Sequence, residues 1–143
     1  MTTIRKILQS KPSEICSVAP QTTVFEALKT MADKNIGALL VLEGGEIKGI
    51  FSERDYARKV VLVGKSSKDI PVSDIMTSRV AYLGPDQTPQ DCMALMTDKR
   101  IRHIPILEDD KLIGIVSIGD VVKAIISEQE FQIQQLETYI TGI

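Results

Sequence analysis

MADKNIGALLVLEGGEIKGIFSERD, Met31 to Asp55, lies without a gap on MTDKRIRHIPILEDDKLIGIVSIGD, Met96 to Asp120, at an offset of 65 residues. Ten of these 25 positions are identical, where ordinary residue frequencies give roughly one or two. Most differences keep their character: Leu39/Ile104, Val41/Ile106, Ile47/Leu112, Phe51/Val116. The match continues upstream through Pro20/Pro85 and Thr23/Thr88, and downstream through Arg58/Lys123 and Val60/Ile125. The lead-ins ahead of it differ in length and need a gap. The chain is a tandem duplication, and its fold has to be built twice.

Each copy carries the same order of signals. A short apolar run, near Ile15–Val18 and Val80–Leu83, reads as a strand. A helix follows, with Thr23 and Thr88 as N-caps and Pro89 at the first helical position. Val24, Ala27, Leu28 and Met31 recur at the spacing of one helix face, as do Cys92, Met93 and Met96. Two apolar runs split by GGE or EDDK then read as a β-hairpin. A second helix opens at Ser52 or Ser117. The fold class is therefore α+β, built from tandem β-α-β-β-α repeats. Residues 7–66 form the first repeat, 74–128 the second, and 129–143 a C-terminal helix, with Gly64 to Ser73 as linker. Past the repeat, Ile126, Ile133, Leu136 and Ile140 extend an apolar stripe. It suits either packing on its own module or a dimer contact.

Composition narrows the function. The chain has 143 residues, 17 basic and 19 acidic, a net charge of −2, and 43% apolar residues. Near-neutral charge argues against nucleic-acid binding through a broad basic face. No apolar run approaches the 18 residues of a membrane span, and the start lacks the apolar core of a signal peptide. Cys16 and Cys92 lack metal-site or redox spacing and suit a reducing cytoplasm. His103 is the single histidine, which leaves little room for triad or metal chemistry, so no metal is expected. Neither a Walker A nor a GxGxxG pattern is present. Met31, Met76, Met93 and Met96 read as core, and Tyr56 and Tyr82 as packing residues rather than base-stacking ones.

Both copies end in the same motif, GIFSERD (Gly49 to Asp55) and GIVSIGD (Gly114 to Asp120). Ser-x-x-Asp at a helix start is a capping box. The same geometry suits a nucleotide: helix N–H groups and the dipole favour phosphate, and a carboxylate one turn in can accept ribose hydroxyls. Both readings stand on spacing alone.

Two β-α-β-β-α repeats, each ending in GhhSxxD, with RHIPIL leading into the second hairpin, resemble a CBS-domain pair (Bateman module), over roughly Pro12 to Ser127. The resemblance implies two repeats packed with pseudo-two-fold symmetry, two clefts, and adenosine-containing ligands: AMP, ATP or NAD(H), with S-adenosylmethionine among the family's ligands. It implies one cleft with Ile50, Ser52, Arg54, Asp55 and Arg58 beside Cys92, Ile101, Arg102 and His103. The other would join Ile115, Ser117 and Asp120 to Thr22, Ala27, Ile36 and Gly37. The Asp would take ribose and the Ser and basic groups phosphate. Arg54, Arg58, Arg102 and His103 make the Asp55 cleft the more basic, so it is expected to take ATP or NAD(H), and the Asp120 cleft AMP. The expected function is a cytoplasmic, non-catalytic sensor of energy or redox state. It would act as a homodimer on an unidentified protein target, with no part for nucleic acid or membrane. The alternative is a scaffolding dimer with vestigial clefts.

Overall fold

The computed structural model describes residues 2–12 and 15–142. Its elements in chain order are α1 (Ile4–Gln9), β1 (Ser17–Val18), α2 (Val24–Lys34), β2 (Ala38–Glu43), β3 (Glu46–Ser52) and α3 (Glu53–Tyr56), which runs on as a π-helical turn, Ala57–Val61. A 3₁₀ turn, Val72–Asp74, leads to α4 (Pro89–Lys99), β4 (His103–Glu108), β5 (Lys111–Ser117) and α5 (Ile118–Thr141). The chain divides into two compact units. One is Ile15–Val80; the other joins the N-terminal segment up to Glu14 to Ala81–Ile143.

In the first unit, the Thr23 hydroxyl accepts the Glu26 N–H at 3.2 Å and starts α2. The helix ends at Asn35, whose left-handed φ of 55° closes the last turn. Val24, Ala27 and Met31 turn inward. β2 buries Ala38, Leu39, Leu40 and Val41 in succession, the pattern of a strand covered on both faces. β1 pairs with it in parallel, Ser17 opposite Leu40, and β3 antiparallel, Leu39 opposite Phe51. The hairpin turns on Gly44 and Gly45, both at positive φ, as a tight two-residue turn requires. The core gathers Val24, Met31, Leu39, Val41, Phe51, Val60, Val72 and Ile75.

The second unit repeats this plan. Thr88 and Asp91 form a capping box with Pro89 in the first turn, and Arg100 takes the left-handed cap. β4 and β5 pair from His103–Ser117 to Glu108–Lys111. Here Asp109 and Asp110 adopt positive φ, a conformation that Asp tolerates better than most residues. The expected strand at Val80–Leu83 is reduced to one bridge, Leu83 with Ile106. Tyr82 is 58% exposed; the packing role expected for it is not what the structure shows. Tyr56 does pack against the first core. The second-repeat helix and the C-terminal stripe form one continuous helix, α5, because no Pro, and no Gly after Gly119, interrupts it before Gly142.

Periodicity did not expose how each core is closed. Val72 and Ile75 are buried in the first, Ile4 and Ile7 in the second. The Val72 N–H donates to Thr22 O at 2.7 Å and Ser73 N–H to Pro20 O at 3.0 Å; Ile4 N–H donates to Gln87 O at 2.9 Å and Arg5 N–H to Pro85 O at 2.8 Å. The acceptors are repeat equivalents. IRKILQSK (Ile4–Lys11) is therefore the counterpart of VSDIMTSR (Val72–Arg79) at an offset of 68 residues. The first repeat is closed by the segment after it. The second is closed by the segment that precedes the first. Arg5 also ion-pairs with Glu108 and Asp86, tying α1 to the second repeat.

Candidate functional site: two capped carboxylates

Both GhhSxxD motifs place Ser at the end of a hairpin strand and Asp at the third position of the following helix, and both form the complete capping box. The Ser52 hydroxyl accepts the Asp55 N–H at 3.3 Å, and Asp55 Oδ2 accepts the Ser52 N–H at 3.0 Å. The Ser117 hydroxyl accepts the Asp120 N–H at 3.2 Å, and Asp120 Oδ2 accepts the Ser117 N–H at 2.9 Å. The residue before each hairpin anchors the helix start: Gly37 O accepts from Glu53 N–H and Arg102 O from Ile118 N–H.

Beyond the cap the two differ. Asp55 Oδ2 also accepts from the Ser52 hydroxyl at 3.1 Å. Its Oδ1 accepts from the Thr77 hydroxyl at 3.1 Å and pairs with Lys59 Nζ at 3.0 Å. Lys59 Nζ reaches Ile75 O as well. Two oxygens thus meet four donors, and the Asp55 side chain is 8% exposed. Asp120 Oδ2 pairs with Lys11 Nζ at 2.7 Å, and the same ammonium donates to Ile115 O at 2.9 Å. The Asp120 side chain is 25% exposed. Burial works against its charge, but Lys11 and the Ser117 backbone N–H outweigh that and hold the carboxyl below its ordinary range. Gly119 puts no side chain over this helix start: a Cβ there would approach only Ser117 Oγ, at 3.7 Å. Its counterpart is Arg54.

The remaining sequence-named positions fall into two groups. In the first unit, Arg54 and Arg58 are exposed, and Thr22, Ile36, Gly37 and Ile50 are half-buried. Ala27 is fully buried in the core. Ile36 and Gly37 line a concavity of about 580 Å³ with the end of α2, Glu53 and Tyr56, a volume in the small-molecule range. In the second unit, Arg102 is exposed, and Ile101, His103 and Ile115 are half-buried. Cys92 is fully buried, and burial, with Asp91 nearby, pushes its thiol up to about 11. Cys92, Ile101, Arg102 and His103, which the resemblance groups with Asp55, belong to the other unit. Among the described residues no cluster of His, Cys, Asp and Glu could hold a metal ion, and no helix is long and apolar enough to cross a membrane.

Lys11, Lys59 and Thr77 were missed by the sequence reading. The signal for Lys11 and Thr77 was the [I/V]xxI[L/M] correspondence between Ile4–Lys11 and Val72–Arg79, which the gap in the lead-ins concealed; that for Lys59 was its place four residues after Asp55.

Fold and site together define a tandem pair of α+β modules of the regulatory kind, each presenting a Ser-capped carboxylate at a helix start. The chain belongs to the CBS-domain family: the CBS domain model matches residues 4–62 and 72–127. It is 42% identical over 152 residues to the CBS domain-containing protein CBSX3, mitochondrial, of Arabidopsis thaliana, covering 99% of this chain and 73% of that one. A putative signal-transduction protein with CBS domains from Burkholderia ambifaria shares 52% identity and a TM-score of 0.86 over 90% of this chain and 96% of that one. The CBS domain pair of protein MJ0100, solved with methylthioadenosine and S-adenosyl-L-methionine, shares the fold, with a TM-score of 0.75 at 24% identity over 90% of this chain and 98% of that one.

Proposed function

We propose that this chain is a non-catalytic sensor that binds an adenosine-containing ligand, AMP, ATP or NAD(H), and conveys energy or redox state to a partner protein. It works in the cytoplasm as a homodimer. The observation that carries this reading is the Lys11–Asp120 pair at the Ser117-capped start of α5. A carboxylate there suits a ribose diol, the helix start suits phosphate, and the lysine can exchange its carboxylate partner for a phosphate. Ligand binding would then be felt by the N-terminal segment that carries Lys11. Any such shift is limited by the ligand's differential affinity for the two arrangements. The adenosyl ligands of the MJ0100 pair support this ligand class.

On this reading the Asp120 side, with Ile115 and Ser117, takes AMP. Arg54, Arg58 and Lys59 make the Asp55 side the more cationic, suited to ATP or NAD(H), with Ser52 and Ile50 beside it. Ala27 and Cys92, being buried, back the walls rather than face a ligand. The scaffolding alternative draws on Asp55: its four donors leave a ribose diol little to add, so that side binds a diol only after Lys59 or Thr77 lets go.

The test is calorimetry of AMP, ATP, NADH, S-adenosylmethionine and GTP against the wild type, Asp55→Ala and Asp120→Ala, on protein stripped of co-purified nucleotide. Adenosine ligands should bind and GTP should not, and Asp120→Ala should lose AMP while keeping its fold. Saturation at about 100 times Kd should add about 2.7 kcal/mol to stability. No binding by any adenosine ligand would leave the scaffolding reading in place.

A further inference from the structure

The outer length of α5 carries a seam that the fold does not use. Its core-facing residues are Val121, Ala124 and Ile125, which pack on the second core. A second set, Val122, Ile126, Gln129, Ile133, Leu136 and Ile140, follows strict alternating steps of four and three residues. At about 100° per residue this stripe lies roughly a quarter-turn or more around the helix from the core face. Its five apolar members are all exposed, and those from Ile126 onward are at least half so. A 3.5-residue repeat is the signature of a supercoiled helix pair rather than of packing on a globular core. Ile126, Ile133 and Ile140 occupy a positions; Val122, Gln129 and Leu136 occupy d positions.

We infer that α5 pairs along this seam with α5 of a second copy of this chain, as a parallel, in-register two-stranded coiled coil. This gives the proposed homodimer a definite surface and does not depend on nucleotide binding. Ile at a with Leu at d favours two parallel strands. In that arrangement Gln129 meets Gln129 of the second copy, where the two amides can hydrogen-bond. The flanking positions then set Gln132 against Glu137 and Ile125 against Glu130, with no like charges opposed. The antiparallel arrangement would align Lys123 with Glu137 but set Gln129 against Ile133. A buried amide without a partner costs more than a surface ion pair returns. A helix of three heptads is marginal alone, but α5 is already nucleated by its capping box and its packing on the second core.

The test uses the full chain. Sedimentation equilibrium is run on the wild type and on Ile133→Lys, a substitution at an exposed position that should leave nucleotide affinity unchanged and lower the melting temperature only by what the lost association had added. The wild type should associate, and Ile133→Lys should weaken association at least about 100-fold, since two buried Ile side chains are lost per dimer. Orientation is read from Gln129→Cys and Leu136→Cys in a glutathione redox buffer. Both should form disulfide-linked dimers, because only parallel in-register pairing brings each of the two positions to its own copy, and exposed Thr138→Cys should not. A wild type that stays monomeric would overturn the inference and leave the seam to another protein's helix. Association indifferent to Ile133→Lys would overturn it as well, as would the absence of a cross-link at either cysteine, since antiparallel pairing brings at most one of the two positions to its own copy. Loss of nucleotide binding in the Asp variants with association intact would leave it standing.

Discussion

Lys11 and Asp120 are 109 positions apart in sequence and 2.7 Å apart in the fold. Asp120 is held below its ordinary pKa, so the stability it contributes is present above the unfolded carboxyl range and is lost as pH falls through its folded pKa. Lys11→Met should remove about 1 kcal/mol at neutral pH, a modest figure because the pair is partly solvated. It should also make the acid loss shallower than in the wild type, because an Asp120 carboxyl that Lys11 no longer depresses has less stability to lose on protonation. Urea midpoints between roughly pH 2 and 6 would show this, and superimposable pH profiles for the two proteins would refute it. At this scale the sequence disclosed the Ser–Asp cap twice and correctly. It did not disclose which cation meets each carboxylate, because the partners Lys11 and Thr77 lie on segments whose packing is decided elsewhere.

The two hairpins are near copies, yet their glycines meet different neighbours. A Cβ on Gly49 would come within 2.6 Å of Met76 Sδ and 2.8 Å of the Thr77 carbonyl; on Gly114 it would meet Leu8 Cδ2 at 2.6 Å. A leucine tip can rotate away, whereas the Thr77 carbonyl is fixed by its bridge to Ile50. Gly49→Ala should therefore cost about 2–3 kcal/mol and Gly114→Ala about 1 kcal/mol, measured by urea unfolding; equal costs would mean that the bridge gives way. The threonine caps, the proline in the first turn of α4 and both hairpin turns were legible because each is a local rule. The Val72–Asp74 turn and α1 were not: one turn of helix has too few residues to show a period, and here the repeat offset changes from 65 to 68.

The largest consequence of the fold is that the N-terminal helix belongs to the second repeat's unit. Ile4→Ala, at a fully buried position, should cost about 2–5 kcal/mol. Native-state hydrogen exchange should place the loss in β4 and β5, with β2 and β3 less affected. Faster exchange confined to β2 and β3 would contradict this assignment. By itself the sequence determined that there are two copies of one α+β module, where their helices start and hairpins turn, and that each ends in a capped carboxylate. Those features follow from propensity, periodicity and repetition, which act over a few residues. Which segment closes which core, and how differently the two carboxylates are therefore held, was decided only by tertiary structure. A short apolar segment such as Ile4–Leu8 can satisfy either copy's core by its pattern. The choice rests on packing and on backbone hydrogen bonds to Pro85 and Gln87, which exist only once the chain has folded.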